Sequence, residues 1–166
     1  MAALDLGSSS VASTDVPPRS WEVFLNFRGK DTGNSFIGFL HKALVDRGIT
    51  VYLDRQRLET GEPVGPSVRE AVEGCKIFIP SFSEHYADCK WCLWELSLIV
   101  QRYISNRQFI IPIFFHIRTK DVRHPTESFK AAFDEYMESH KPDVNSWRKA
   151  MEVVGKLSGV TIHHNE

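Results

Sequence analysis

The run FIIPIFF at residues 109–115 constrains this chain more than any other feature. It carries no charge and no alternation, as expected of a strand covered on both faces. Three shorter runs of strand formers precede it, EVFLNF at 22–27, TVYL at 50–53 and KIFIP at 76–80. Between them the apolar period changes to that of a helix. Phe36, Phe39, Leu40, Ala43 and Leu44 predict a helix over 34–47, capped by Asp31 or Thr32 and closed by Gly48. Val68, Ala71 and Val72 share one face of a second helix, opened by Pro66 and stopped at Gly74. Leu93, Leu96, Ile99, Val100 and Tyr103 line a third over 90–103, and two more are expected at 126–140 and 145–157. Strands alternating with helices predict a parallel sheet with helices on both faces. A length of 166 residues fits one domain, and 42% hydrophobic residues suffice for its core.

Sheets of this kind bind ligands outside the carboxyl ends of their strands, where strand order reverses. The loops at 28–33, 54–65 and 81–90 are therefore the places to look for function. Composition narrows the classes. Lys+Arg is 20 and Asp+Glu is 21, a net charge of −1, which argues against binding nucleic acid by bulk phosphate neutralisation. No apolar run approaches the ~18 residues of a membrane span. Cys75, Cys89 and Cys92 are too few for a disulfide framework and favour a reducing compartment. Residues 1–19 are small and polar, contain Pro17-Pro18 and lack the pattern of a secretory signal. They are expected to form a flexible tail ahead of one domain at 20–166.

Several constellations invite chemistry. Cys89-Lys90-Trp91-Cys92 has redox or zinc spacing, but zinc needs about four ligands and no second pair completes a site. The seven histidines form no HxxxH pair, so no metal is expected. Arg28-Gly29-Lys30-Asp31-Thr32-Gly33 joins a strand to a helix and suits a phosphate cradle; it suits equally a tight turn followed by a helix cap. Trp91 and Glu95 stand four residues apart on one helix face, an indole and a carboxylate suited to a cationic ring. Glu95 can also serve simply as an acid complementing the helix dipole. The first strand ends in Asn26-Phe27-Arg28, which excludes the acidic cluster of a phosphoacceptor on this fold.

Taken together, VFLNFRGKDTGNSF, LDRQRLETGEPV, FSEHYADCKWCLWEL and IIPIFFHIRTKDVRHPTESF resemble the successive signatures of plant TIR (Toll/interleukin-1 receptor) domains. Such domains stand at the N-terminus of nucleotide-binding leucine-rich-repeat immune receptors, and the resemblance covers residues 21–162. It implies a flavodoxin-like five-stranded parallel sheet flanked by helices. It also implies an NAD⁺ nucleosidase that cleaves the nicotinamide–ribose bond, with NAD⁺ as substrate and no tightly bound cofactor. On this resemblance Glu95 is catalytic, Arg28, Gly29, Lys30, Asp31, Thr32 and Gly33 hold the substrate, and Trp91 stacks on one of its rings. Residues 54–65 correspond to the BB loop, with Leu58, Gly61 and Glu62. Other TIR domains are the implied partners, met through Gly38, Phe39 and His41 on the first helix and Trp147, Gly159 and Val160 near the last.

The chain departs from its relatives at several of these positions. It has Gly38-Phe39 where many carry Ser-His, Gly159-Val160 where they carry Gly-Trp, and Gly33 where they carry Arg. The implied setting is innate immune signalling and cell death in the cytoplasm or nucleus. The chain would act there either as a TIR-only protein or as the front of a receptor, with neither membrane nor nucleic acid among its partners. Two functions stay open: the enzyme, with Glu95 opening into a dinucleotide-sized cleft beside Trp91 and the first loop, and a non-enzymatic scaffold that acts through TIR–TIR contacts.

Overall fold

The computed structural model describes residues 21–29, 36–53, 66–106 and 108–164. Strand β1 (Val23–Phe27) is buried at every position. Helix α1 (Phe36–Asp46) leads to β2 (Val51–Leu53), and α2 (Pro66–Gly74) to β3 (Ile77–Phe82). A 3₁₀ turn (Tyr86–Asp88) precedes the long helix α3 (Lys90–Asn106). Two short strands follow, β4 (Phe109–Ile110) and β5 (Ile113–Phe115). Four helices, α4 (Thr119–Arg123), α5 (Pro125–Ser128), α6 (Lys130–Ser139) and α7 (Lys141–Gly155), then lead to β6 (Val160–Ile162).

All strand pairs are parallel, in the order β2-β1-β3-β5-β6, with β4 also paired to β3. The two short strands are one strand in two pieces. Both keep a single register against β3, with Ile110 opposite Phe78 and Ile113 opposite Ser81, which sets Pro112 opposite Pro80. Neither proline has an N–H to donate, so the ladder lapses there and resumes beyond. The sheet is thus five strands wide, as the resemblance implies.

Alternation along the strands divides the core into two layers. Phe24, Phe78, Phe82 and Phe114 face α2, α3 and the last helices, while Val23, Leu25, Phe27, Ile79 and Ile113 face Ile37 of α1. The inner face of α1 differs from expectation. Phe36, Ile37, Leu40 and Leu44 pack inward, whereas Phe39 is 74% exposed and Ala43 is exposed. Phe36 turns inward by stacking on Phe115 at 5.6 Å. Gly48 follows α1 with φ +78, the left-handed stop its sequence position implies.

The C-terminal third departs most. The helix expected at 126–140 is broken at Phe129 into α5 and α6, and α4 precedes them. The last helix begins at Lys141 rather than Asn145, because Pro142 is compatible with a first helical turn and Asp143 complements its dipole. The three residues of β6 carry no period of their own. Their place is fixed instead by Gly159. A Cβ on Gly159 would stand 2.0 Å from the Pro112 carbonyl oxygen, the same oxygen that accepts the Val160 N–H at 2.9 Å. Gly159→Ala is therefore expected to cost about 1–3 kcal/mol through forced displacement of that strand. Val160→Ala, at an exposed side chain, should change stability by no more than about 0.5 kcal/mol. Urea unfolding of the two variants checks the contrast.

Candidate active site

The chain runs from β1 to β2 on one side and reaches β3 on the other, so strand order reverses at the carboxyl ends of β1 and β3. Helix α3 is fastened beneath that point. Cys92 Sγ donates to the Phe27 carbonyl at 3.3 Å, and Leu93 N–H donates to the Cys89 carbonyl at 3.2 Å. The first contact joins the start of α3 to the end of β1, the second closes the opening turn of the helix, and Glu95 is thereby brought under the strand.

There Glu95 Oε2 accepts a hydrogen bond from Asn26 Nδ2 at 2.8 Å. The same amide nitrogen donates to the Cys92 carbonyl at 3.2 Å. The Tyr86 hydroxyl donates to Asn26 Oδ1 and stands 3.1 Å from the Cys92 carbonyl. Asn26, Tyr86 and Cys92 are fully buried and Glu95 is 1% exposed. An isolated carboxylate at such depth costs several kcal/mol, and the amide donor offsets part of that. Glu95 does not open into a cleft in this conformation, contrary to expectation. Its side chain turns toward the sheet, and the carboxylate is covered.

Of the expected substrate residues, Arg28 and Gly29 follow β1 directly and are half-buried. Lys30, Asp31, Thr32 and Gly33 lie outside the described residues, as do Leu58, Gly61 and Glu62 of the expected BB loop. Trp91 is half-buried and meets Trp94 edge-on, with ring centroids 5.3 Å apart. Among the expected contact residues, Gly38 and Phe39 are exposed, His41 is half-buried and Val160 is 52% exposed. Trp147 is different. At 1% exposure it belongs to the core, where Trp94 and Tyr136 meet it edge-on at 5.5 Å each, so its side chain has no surface to offer a partner. Gly159, as described above, is constrained by Pro112 of its own chain.

The thiols are committed locally. Burial pushes the Cys75 thiol up to about 12, and the Cys92 N–H bonds to Cys89 Sγ at 3.3 Å. A separate open cavity of about 710 Å³ lies at the carboxyl ends of β5 and β6, lined by residues that include His116, Arg118, Asp121 and His164 but not Glu95. Burial pushes the Asp121 carboxyl up, but hydrogen bonds from Arg118 and Ser128 outweigh it and hold the group below its usual value.

Two residues that matter here are not singled out by motif, Asn26 and Tyr86. Asn26 carries a signal in hindsight. It is the one polar residue in the VFLNF strand, at the parity of Phe24, and so it points into the helix-covered core. A buried amide requires partners.

Comparisons with known proteins identify the family. A family model described as TIR domain matches residues 20–166. The chain is similar to TMV resistance protein N of Nicotiana glutinosa, 38% identical over 143 residues that make up 84% of this chain. It is similar to Disease resistance protein RPV1 of Vitis rotundifolia, 38% identical over 154 residues, 92% of this chain. It spans only 12% and 11% of the lengths of those relatives. Among solved structures, the TIR domains of the activated Roq1 resistosome, directly recognizing the pathogen effector XopQ, superpose with a TM-score of 0.78. Sequence identity there is 29%, covering 86% of this chain and 87% of that one.

Proposed function

This chain belongs to the TIR domain family, and from that premise we propose that it cleaves NAD⁺ between nicotinamide and ribose as a self-associating module of plant immune signalling. The observation that carries the reading is the placement of Glu95. Among the described residues Glu95 is the one buried carboxylate, and it stands under the carboxyl end of β1, at the reversal of strand order, with Arg28 just beyond.

One carboxylate is enough for this bond. Glycosidases usually need a second carboxyl group to protonate the leaving group. Nicotinamide leaves a cationic pyridinium as a neutral molecule, so the electron pair of the breaking C–N bond simply returns to the ring nitrogen. Glu95 stabilises the oxocarbenium-like ribose. Water then adds its oxygen to the anomeric carbon and releases one proton, giving nicotinamide and ADP-ribose. The covered carboxylate sets a condition: the single chain is a closed, weakly active form, and assembly uncovers the site.

A second reading, scaffolding without chemistry, is favoured by the likeness to TIR domains within a resistosome. Nicotinamide release separates the two. Activity per molecule should rise with protein concentration. Phe39→Asp, at a side chain 74% exposed on α1, should lower it about tenfold at a given concentration, as loss of an apolar anchor at an interface does. Activity per molecule that stays flat across a wide concentration range would remove self-association from the account. No release at any concentration would leave the scaffold.

A further inference from the structure

We propose that Asn26, oriented by Tyr86, is a positioning residue that holds the Glu95 carboxylate as a hydrogen-bond acceptor under the end of β1; this rests on the nucleosidase reading above. A side-chain amide has a donor end and an acceptor end, and its surroundings decide which faces where. The Tyr86 hydroxyl donates to Oδ1. The amide nitrogen therefore faces the other way, with one hydrogen toward Glu95 Oε2 at 2.8 Å and the other toward the Cys92 carbonyl at 3.2 Å. Every polar atom of the amide is used, and all four residues are buried. The titratable or charged groups on or beside the 3₁₀ turn, the first turn of α3 and the end of β1 are His85, Tyr86, Asp88, Cys89, Lys90, Cys92 and Arg28.

A donor at that distance favours the ionised carboxylate over the neutral acid. An amide turned the other way would aim an oxygen at it and favour the acid. The relay therefore offsets part of the cost of holding Glu95 ionised in its buried place.

Tyr86→Phe keeps the ring and removes only the hydroxyl that fixes the amide. With NAD⁺ as substrate, kcat should fall about tenfold while KM stays within about threefold, and the acid limb of the pH–rate profile should move to higher pH. Asn26→Asp sets a second carboxyl against Glu95, so the pair shares a proton and the acid limb should move further. Should Asn26→Asp not fold, Tyr86→Phe decides alone. The ¹³C-carboxyl NMR titration of Glu95, assigned with Glu95→Gln, should move upward in Tyr86→Phe without any turnover. A wild type that cleaves NAD⁺, with the acid limb and the Glu95 titration both unmoved in Tyr86→Phe, overturns the relay alone. A wild type that releases no nicotinamide overturns the nucleosidase reading and the catalytic role of the relay with it.

Discussion

Trp147→Ala is expected to lower stability by about 3–5 kcal/mol, which for a chain of this size is roughly 6–20 °C in Tm. Trp147 is the largest side chain of the core with under 2% exposure. It meets Trp94 at 5.5 Å and 81°, and Tyr136 at 5.5 Å and 84°. Edge-on aromatic pairs contribute about 0.5–1.5 kcal/mol each beyond the area they bury. Alanine removes both and leaves a void whose walls come from three helices, α3, α6 and α7, which limits how far it can collapse. Trp147→Phe fills part of the space and should lose about half as much. The effect should reach the site as well, because Trp94 immediately precedes Glu95 on α3. Urea unfolding with the slope held constant measures the loss. A loss below about 1 kcal/mol would place this indole at a surface after all.

The fold was readable where the period was strong. β1 and β3, with their predominantly apolar runs, lie within two residues of where the sequence sets them, and Gly48 ends α1 in the left-handed conformation it allows. The errors have specific causes. Phe39 has helical spacing to Phe36 and Leu40, but one helical stripe cannot bury every neighbour, and Ile37 took the inner place. The residues of β6 are held by a glycine pressed onto a proline carbonyl more than forty positions earlier in the chain. No local pattern records such a contact.

The site was half legible. Glu95 stands out as the one acid in a largely apolar stretch of α3, and it lies under the strand end that the topology singles out. Its burial and its amide partner were not legible. The pairing joins residues 69 positions apart, and Asn26 reads in isolation as one polar residue in a strand. The assignment of Trp147 to a contact surface came from the resemblance, which implies contacts near the last helix. Position says nothing of which way a helix turns its side chains. The aromatic neighbours at 94 and 136 decided that.

Glu95→Gln tests the central claim most directly. Glutamine keeps the length of the side chain and an oxygen for the Asn26 donor, and it replaces the other oxygen by an uncharged NH2. Wild type and variant are incubated with NAD⁺ at the same high protein concentration, and nicotinamide is followed over time. With the two melting temperatures within a few degrees, the account predicts release by the wild type and a fall of about 10²–10³-fold in the variant. Equal turnover in the two proteins would contradict it.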